Sequence, residues 1–283
     1  MKIISRDNTC VVMTTFMPTD TVRENITNIA HQVDRVIVVD DTGSSSHAHL
    51  FDLDDGSTIY IHNTENLGIA KALNVGFSKA KELGYQWVLT LDDDTKVGNF
   101  YLDRLSNYFT QRPDELDEVG IVTLSRNEPK CGESAREKRT LITSGSLQSI
   151  ENYQRVGGFD ESYFIDLVDF DYCVRMRRLG KKLIELPEKG MEHKVGCTKI
   201  VSFFGLSITV FNHSPFRLYY QVRNVFIFSK VCFKIDPILA TYMMLDIIRI
   251  PMKAMLFENN KLARAKFIMK GLLDGVFGKS GGL

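Results

Sequence analysis

Residues Tyr85–Val97 read YQWVLTLDDDTKV. Within them Trp87–Leu91 has the length and β-prone apolar character of a buried strand, and it stops abruptly at Asp92, Asp93 and Asp94. A strand that is apolar throughout belongs in a sheet covered on both faces, and such parallel sheets bind ligands outside the carboxyl ends of their strands. Alternate residues of an extended tip point the same way, so Asp92 and Asp94 can share one target while Asp93 faces elsewhere. A hard divalent cation is the natural target. Mg²⁺ or Mn²⁺ takes oxygen ligands, one or two carboxylates from a protein, and completes its shell with water and phosphate oxygens.

The segments upstream repeat the same rhythm. Cys10–Thr15, CVVMTT, reads as a buried first strand, and Thr19 and Asp20 are suitable caps for a helix running to about Gln32. Val33–Asp41 reads as a second strand ending in two acids, which makes a right-handed βαβ unit. Thr58–Ile61 reads as a third strand, His62–Gly68 as a polar elbow, and Ile69–Leu83 as a helix stopped by Gly84. The expected fold class is therefore α/β. Downstream, Asn99–Thr110 reads as a helix, Glu118–Leu124 as a strand and Ser125–Lys138 as a long surface loop. Leu141–Ile150 returns to strand-like character around a small-residue turn, and Lys182–Leu186 reads as an edge strand.

Composition bounds the partners. The 283 residues carry 35 Lys plus Arg and 35 Asp plus Glu, so the net charge gives a nucleic-acid partner no global support. Carboxylates dominate before Asp171, whereas lysines and arginines recur among apolar residues after Arg175. Five scattered cysteines, Cys10, Cys131, Cys173, Cys197 and Cys232, argue for reduced thiols rather than a disulfide framework or zinc site. The opening MKIISRDNTC lacks the apolar core of a secretion signal, and Ile235–Phe257 is too often interrupted by charge to span a bilayer.

The triple aspartate, the β-α-β rhythm and the block Tyr153–Arg178, YQRVGGFDESYFIDLVDFDYCVRMRR, resemble the nucleotide-sugar glycosyltransferases of family 2 with the GT-A fold, over roughly Val11–Asn224. The run Tyr219–Asn224, YYQVRN, resembles the rhamnosyltransferase-like branch, with galactofuranosyltransferase-like relatives. The resemblance implies a GT-A Rossmann-like, nucleotide-sugar-binding domain over 1–224 and a C-terminal helical extension over 225–283. It carries donor-binding roles to Thr14, Phe16, Asp40, Asp41, Asn66, Gly68, Asp92, Asp93 and Arg223, with Mn²⁺ or Mg²⁺ held by Asp92, Asp94 and His193. Where the family has an E-D-x-D segment this chain has Val168 in place of the first acid, which favours Asp169 as the general base, with Asp166 and Asp171 behind it. A carboxylate there would take the proton of an attacking acceptor hydroxyl.

The implied reaction is an inverting transfer from a nucleotide diphosphate sugar, dTDP-L-rhamnose first and UDP-galactofuranose second, to a lipid-linked saccharide of a bacterial surface polysaccharide such as O-antigen. Asp93 departs from many rhamnosyltransferase-like members, whose middle residue is not acidic, and leaves the donor open. The basic, apolar helices after Val225 suit the headgroup region of a membrane, peripheral on its cytoplasmic face. They are equally able to pack on the catalytic domain or to form a homo-oligomer. Two other classes stay open: a metal-dependent nucleotidyltransferase, which would lack a Gly-rich phosphate loop here, and a non-catalytic scaffold of the same fold, against which Asp92, Asp94 and Asp169 together speak. The GKSGGL segment reads as frayed.

Overall fold

The computed structural model describes residues 3–51, 53–54, 56–129, 132–193, 199–203, 206–210 and 212–283. The chain divides into two compact units, Met1–Asp160 with Tyr172–His193, and Glu161–Asp171 with Lys194–Leu283.

The first unit is an α/β layer structure. In chain order its elements are β1 (Thr9–Thr15), α1 (Thr21–Ala30), β2 (Arg35–Asp40), β3 (Thr58–His62), α2 (Ile69–Glu82), β4 (Trp87–Asp92) and β5 (Thr95–Val97). They continue with α3 (Tyr101–Gln111), β6 (Val119–Ser125), β7 (Arg136–Glu137), β8 (Ser146–Ser149) and α4 (Ile150–Val156). Helix α5 (Val168–Arg178), whose residues up to Asp171 are counted with the second unit, follows, then β9 (Lys182–Lys189) and β10 (Met191–His193). Eight strands form one sheet in the order β3-β2-β1-β4-β8-β6-β9-β7. The run β3-β2-β1-β4 is parallel, whereas β8 lies antiparallel between β4 and β6. Strand β4 has paired neighbours on both sides and helices over the sheet, which is why all of Trp87–Leu91 is buried.

Two residues explain how closely the layers approach. A Cβ at Gly76 of α2 would come within 2.3 Å of Val12 Cγ1 on β1, so only glycine lets this helix settle on the sheet. Gly84 closes α2 with φ near 85°, the left-handed stop its sequence position anticipates.

Three differences from the sequence reading stand out. Strand β9 is not an edge strand, because the two-residue β7 pairs along it and forms the edge itself. That edge strand arises inside the stretch read as a loop. A second small sheet, β5 with β10, was not anticipated at all. Helices α1, α2 and α3 follow expectation, shifted by one or two residues at their ends, as fraying termini usually are, whereas α4 was not anticipated.

The second unit contains the hairpin β11 (Lys199–Phe203) and β12 (Leu206–Val210), then α6 (Pro215–Cys232), α7 (Pro237–Met244), α8 (Asp246–Phe257) and α9 (Lys261–Val276). The sequence division at Asn224 thus falls inside α6. A Cβ on Gly271 of α9 would meet the Tyr219 carbonyl oxygen at 2.7 Å, so α9 lies close against α6 through small residues. Leu218, Ala254 and Ile268 form the apolar core between α6, α8 and α9. No helix among the described residues is long and apolar enough to cross a membrane.

Candidate active site

The parallel register brings three strand ends into one row. Thr14 of β1 lies opposite Asp92 of β4, and Thr15 lies opposite Asp40 of β2. The chain leaves this edge through Phe16, which is 53 % exposed, and its backbone N–H donates to the Asp93 carboxylate. The Asn25 side chain on α1 donates to the Asp93 carbonyl at 2.7 Å. Asp93 is therefore turned toward the chain, Asp92 is half-buried and Asp94 is exposed.

Burial first, and then the charges of Asp94 and Asp92, push the Asp93 carboxyl up to about 6. So much negative charge in three consecutive residues is unfavourable unless a cation joins it. Among the described residues no three acidic, histidine or cysteine side chains close on one point. The donor set nevertheless fits Mg²⁺ or Mn²⁺, which take few protein carboxylates and draw the rest of their shell from water and phosphate.

The aspartate turn is braced from beneath. The Asp92 N–H donates to Ser144 Oγ at 2.9 Å, and Ser144 Oγ donates to Thr95 Oγ1 at 2.7 Å. The Gly145 N–H donates to the Thr90 carbonyl at 2.7 Å, and the Tyr101 hydroxyl donates to the Gly145 carbonyl at 2.6 Å. Gly145 has φ near 80°, and a Cβ on it would strike Met191 Cε at 2.5 Å. Past the turn, β5 pairs with β10 so that Thr95 lies across from His193. The backbone of His193 thus sits beside the residue that follows Asp94; its side chain lies outside the described ones.

Asp40 and Asp41 form the floor of this edge. Both are buried. Asp40 accepts from Thr42 (N–H and hydroxyl, 3.0 and 2.6 Å), from the Tyr60 hydroxyl at 2.6 Å and from the His47 N–H at 3.2 Å. Burial alone would raise its carboxyl, but these hydrogen bonds, with the His47 ring, hold it below the ordinary value. Asp41 accepts from Asn63, from the Leu67 N–H and from the Gly68 N–H, at 2.8, 3.0 and 2.7 Å. Burial outweighs those bonds and raises its carboxyl. Asp41 therefore shapes the Asn66–Gly68 elbow, where Gly68 has φ near 86° and Asn66 Oδ1 accepts the Gly68 N–H.

In the same unit the Gly157-Gly158-Phe159 turn is held by Asn74, whose amide donates to and accepts from the Phe159 backbone at 2.9 Å. The Arg175 guanidinium donates to the carbonyls of Val156 and Gly158. The Phe159 ring stacks on Tyr172 with centroids 4.2 Å apart.

The second unit contains the segment leading to Asp169. Phe164, Asp166 and Leu167 all have φ near 64°. The left-handed region costs a side-chain-bearing residue about 1 kcal/mol or more, so three within four positions require outside support. That support is the Arg-Asn pair of α6. The Asn224 amide donates to the carbonyls of Tyr163, Ile165 and Asp166 at 3.0, 2.6 and 2.9 Å. Arg223 donates to the carbonyls of Ser162, Tyr163 and Gly281 and, through Nε, to Asn224 Oδ1. Its guanidinium lies over the Tyr219 and Tyr220 rings, 5.3 and 4.8 Å from their centroids. Asp166 is gripped through both oxygens by Arg217. Asp169, half-buried in the first turn of α5, accepts the Phe170 N–H at 2.9 Å, and Asp171 is fully buried 3.2 Å from the Tyr163 hydroxyl.

The family model for glycosyl transferase family 2 matches residues 10–160, the segment that holds the first strand, the elbow, the aspartates and the GGFD turn. The chain belongs to glycosyl transferase family 2. Its similarity to a curated relative extends further: the dTDP-rhamnosyl transferase RfbF of Shigella flexneri is 28 % identical, with 91 % of each chain covered. Among solved structures, S. aureus TarS 1-349 matches with a TM-score of 0.62 at 12 % identity, over 95 % of this chain and 81 % of that one. The same TarS segment in complex with UDP-GlcNAc matches with a TM-score of 0.58 at 15 % identity, over 95 % and 80 %. These structural likenesses establish the GT-A-like fold.

In this family 2 glycosyltransferase, the first unit brings together Thr14, Phe16, Asn66, Gly68, Asp92, Asp93 and Asp94 around one sheet edge and its elbow. Asp40 and Asp41 lie beneath that edge with their carboxylates engaged by the chain itself. Arg223 departs most from its expected part as a diphosphate contact. It is buried with its donors spent on backbone carbonyls, because three left-handed residues within four positions leave carbonyls that only a multidentate donor can satisfy. Gly278–Leu283, expected to fray, is tied in: the Gly281 N–H donates to the Ser162 carbonyl at 2.7 Å and the Leu283 N–H to the Tyr220 hydroxyl at 2.8 Å. Ser144 and Asn25, which hold the aspartate turn, carried no sequence signal beyond being small polar residues.

Proposed function

We propose that this glycosyltransferase moves a sugar, L-rhamnose in the first instance, from a nucleotide diphosphate donor to a hydroxyl of a lipid-linked saccharide with inversion. The observation that carries the reading is the row Thr14–Asp92–Asp94 at the carboxyl edge of the parallel strands, ended by an exposed aromatic residue. Phe16 offers a face on which a nucleobase stacks, and the elbow Asn66–Gly68, shaped by Asp41, offers polar backbone to the nucleoside. Asp92 and Asp94, with His193, would hold Mn²⁺ or Mg²⁺, which would supply positive charge to offset that developing on the leaving group. Asp169 accepts the proton of the acceptor hydroxyl as that oxygen attacks the anomeric carbon. The similarity to a dTDP-rhamnosyl transferase over nine-tenths of both chains supports rhamnose ahead of galactofuranose.

Calorimetric titration with dTDP-rhamnose, UDP-galactofuranose and UDP-GlcNAc, each with Mn²⁺ and with chelator, tests this. Tightest binding of dTDP-rhamnose, weakened by chelator, is the expected result. Preference for another donor would reassign the sugar, and binding of none would remove the donor reading.

The C-terminal helices supply the remaining part of the proposal, a peripheral seat on the cytoplasmic face of a membrane that holds the acceptor. Over 230–283 nine Lys and Arg face four Asp and Glu. Ile238, Ile248, Leu256, Leu262, Val276 and Phe277 are exposed large apolar residues on or beside α7, α8 and α9. Apolar side chains entering the acyl boundary with lysines at headgroup level would bind anionic lipid in a salt-dependent way. The full chain is expected to pellet with anionic vesicles at low salt and far less at high salt, and Leu262→Glu with Phe277→Glu should release it. Pelleting that ignores lipid charge and both substitutions would refute the membrane seat.

A further inference from the structure

We infer that Arg223 and Asn224 are positioning residues for the catalytic base, acting through the left-handed segment Phe164–Leu167 that aims the first turn of α5. The inference rests on Asp169 being that base. The pair acts as one device. Asn224 Oδ1 accepts from Arg223 Nε and Nη2 at 2.9 and 2.7 Å, which orients the amide so that its nitrogen faces the carbonyls of Tyr163, Ile165 and Asp166. A carbonyl direction is set by the φ and ψ angles on either side of it. Fixing the carbonyls of Tyr163, Ile165 and Asp166 from one nitrogen therefore holds the backbone at the positive φ of Phe164, Asp166 and Leu167.

Leu167 is the last of these residues, and its carbonyl accepts the Asp171 N–H at 2.9 Å. The first turn of α5, with Asp169 in it, is hung directly from the restrained segment. Two further ties act on the same stretch. Arg217 grips the Asp166 carboxylate, and the Gly281 N–H and Arg223 both reach the Ser162 carbonyl. Phe164 stacks on Tyr220 with ring centroids 4.9 Å apart. Tyr220, Arg223 and Asn224 of the YYxxRN run thus converge on the seven residues before Asp169, and the guanidinium is consumed there and at the Gly281 carbonyl rather than offered to a ligand.

The test compares Asn224→Asp, Arg217→Gln and Asp169→Asn with the parent enzyme. Asn224→Asp keeps the acceptor for Arg223 and removes the donor to the three carbonyls. Arg217→Gln, on the partly exposed side, loosens the segment without touching the buried pair. Donor affinity and stoichiometry are read by calorimetry, and turnover is expressed per donor-competent molecule. Displacement of a reacting group by about 1 Å costs about 10²-fold. The expected result is a fall in kcat of about that size for Asn224→Asp and a smaller one for Arg217→Gln, with donor affinity and stoichiometry unchanged. If Asn224→Asp folds poorly its stoichiometry drops, and Arg217→Gln decides. Turnover within threefold of the parent in donor-competent variants, with Asp169→Asn inactive, would overturn the positioning role alone. An active Asp169→Asn would overturn the base assignment and this inference with it.

Discussion

Asp169→Asn is expected to lower kcat by about 10²- to 10⁴-fold, the usual contribution of a positioned general base, while metal-dependent donor binding stays as it was. The substitution is nearly isosteric and leaves an amide oxygen able to accept the Phe170 N–H, so the first turn of α5 keeps that hydrogen bond. What is lost is an acceptor for the proton that a sugar hydroxyl must shed. The neighbouring acids are poor substitutes. Asp166 is committed to Arg217 through both oxygens, and Asp171 is fully buried beside the Tyr163 hydroxyl. Initial rates of transfer, with donor affinity measured on the same preparation, check the prediction. A variant turning over within a few fold of the parent would move the base elsewhere.

The second large effect belongs to Asp94→Ala. Asp94 is the exposed member of the acidic turn, so removing it opens no cavity and leaves the Ser144 brace on the Asp92 N–H intact. Bridging a diphosphate through a cation contributes several kcal/mol, and 1.4 kcal/mol is tenfold. Donor affinity in Mn²⁺ should therefore fall by about 10²-fold or more, to the level the parent shows in chelator. Calorimetry with and without chelator reads this directly, with no turnover required. A variant that binds donor as tightly as the parent, and still responds to chelator, would place the cation on other ligands.

The residues proposed for donor and acceptor chemistry were legible in the sequence to different degrees. Where a strand is apolar from end to end and stops at acids, its place in the sheet follows from period and composition; β2 and β4 were read this way, and β1 from its apolar run alone. Strand β8 falls inside the strand-like stretch Leu141–Ile150, but its limits were blurred because it is buried yet polar, with Ser146, Gln148 and Ser149 giving no apolar alternation. Its antiparallel direction is a matter of topology, which no local pattern encodes. Strands β5, β7 and β10 are two or three residues long, too short to show a period. The burial of Arg223 was not anticipated for a related reason: the spacing of YYxxRN shows which side chains share a helix face, but not what that face meets. Asp40 and Asp41 stand at the end of β2, where the sequence reading has them, and their carboxylates hold the adjoining turns, a use that acids at a strand end can have as readily as serving a ligand.

The ties on the segment before Asp169 also bear on the order in which the enzyme matures. Arg223 and Asn224 act on that segment from about 60 positions further along the chain, and Gly281 lies later still. Contacts between such distant positions wait until the intervening chain has ordered. On the proposed assignment, the donor edge, built from residues before Ser149 except for β10, can close while α9 is still being synthesised, whereas the proposed base is aimed only once α6 and the segment around Gly281 are in place. A nascent chain would thereby be competent to fold around a donor before it is competent to spend one.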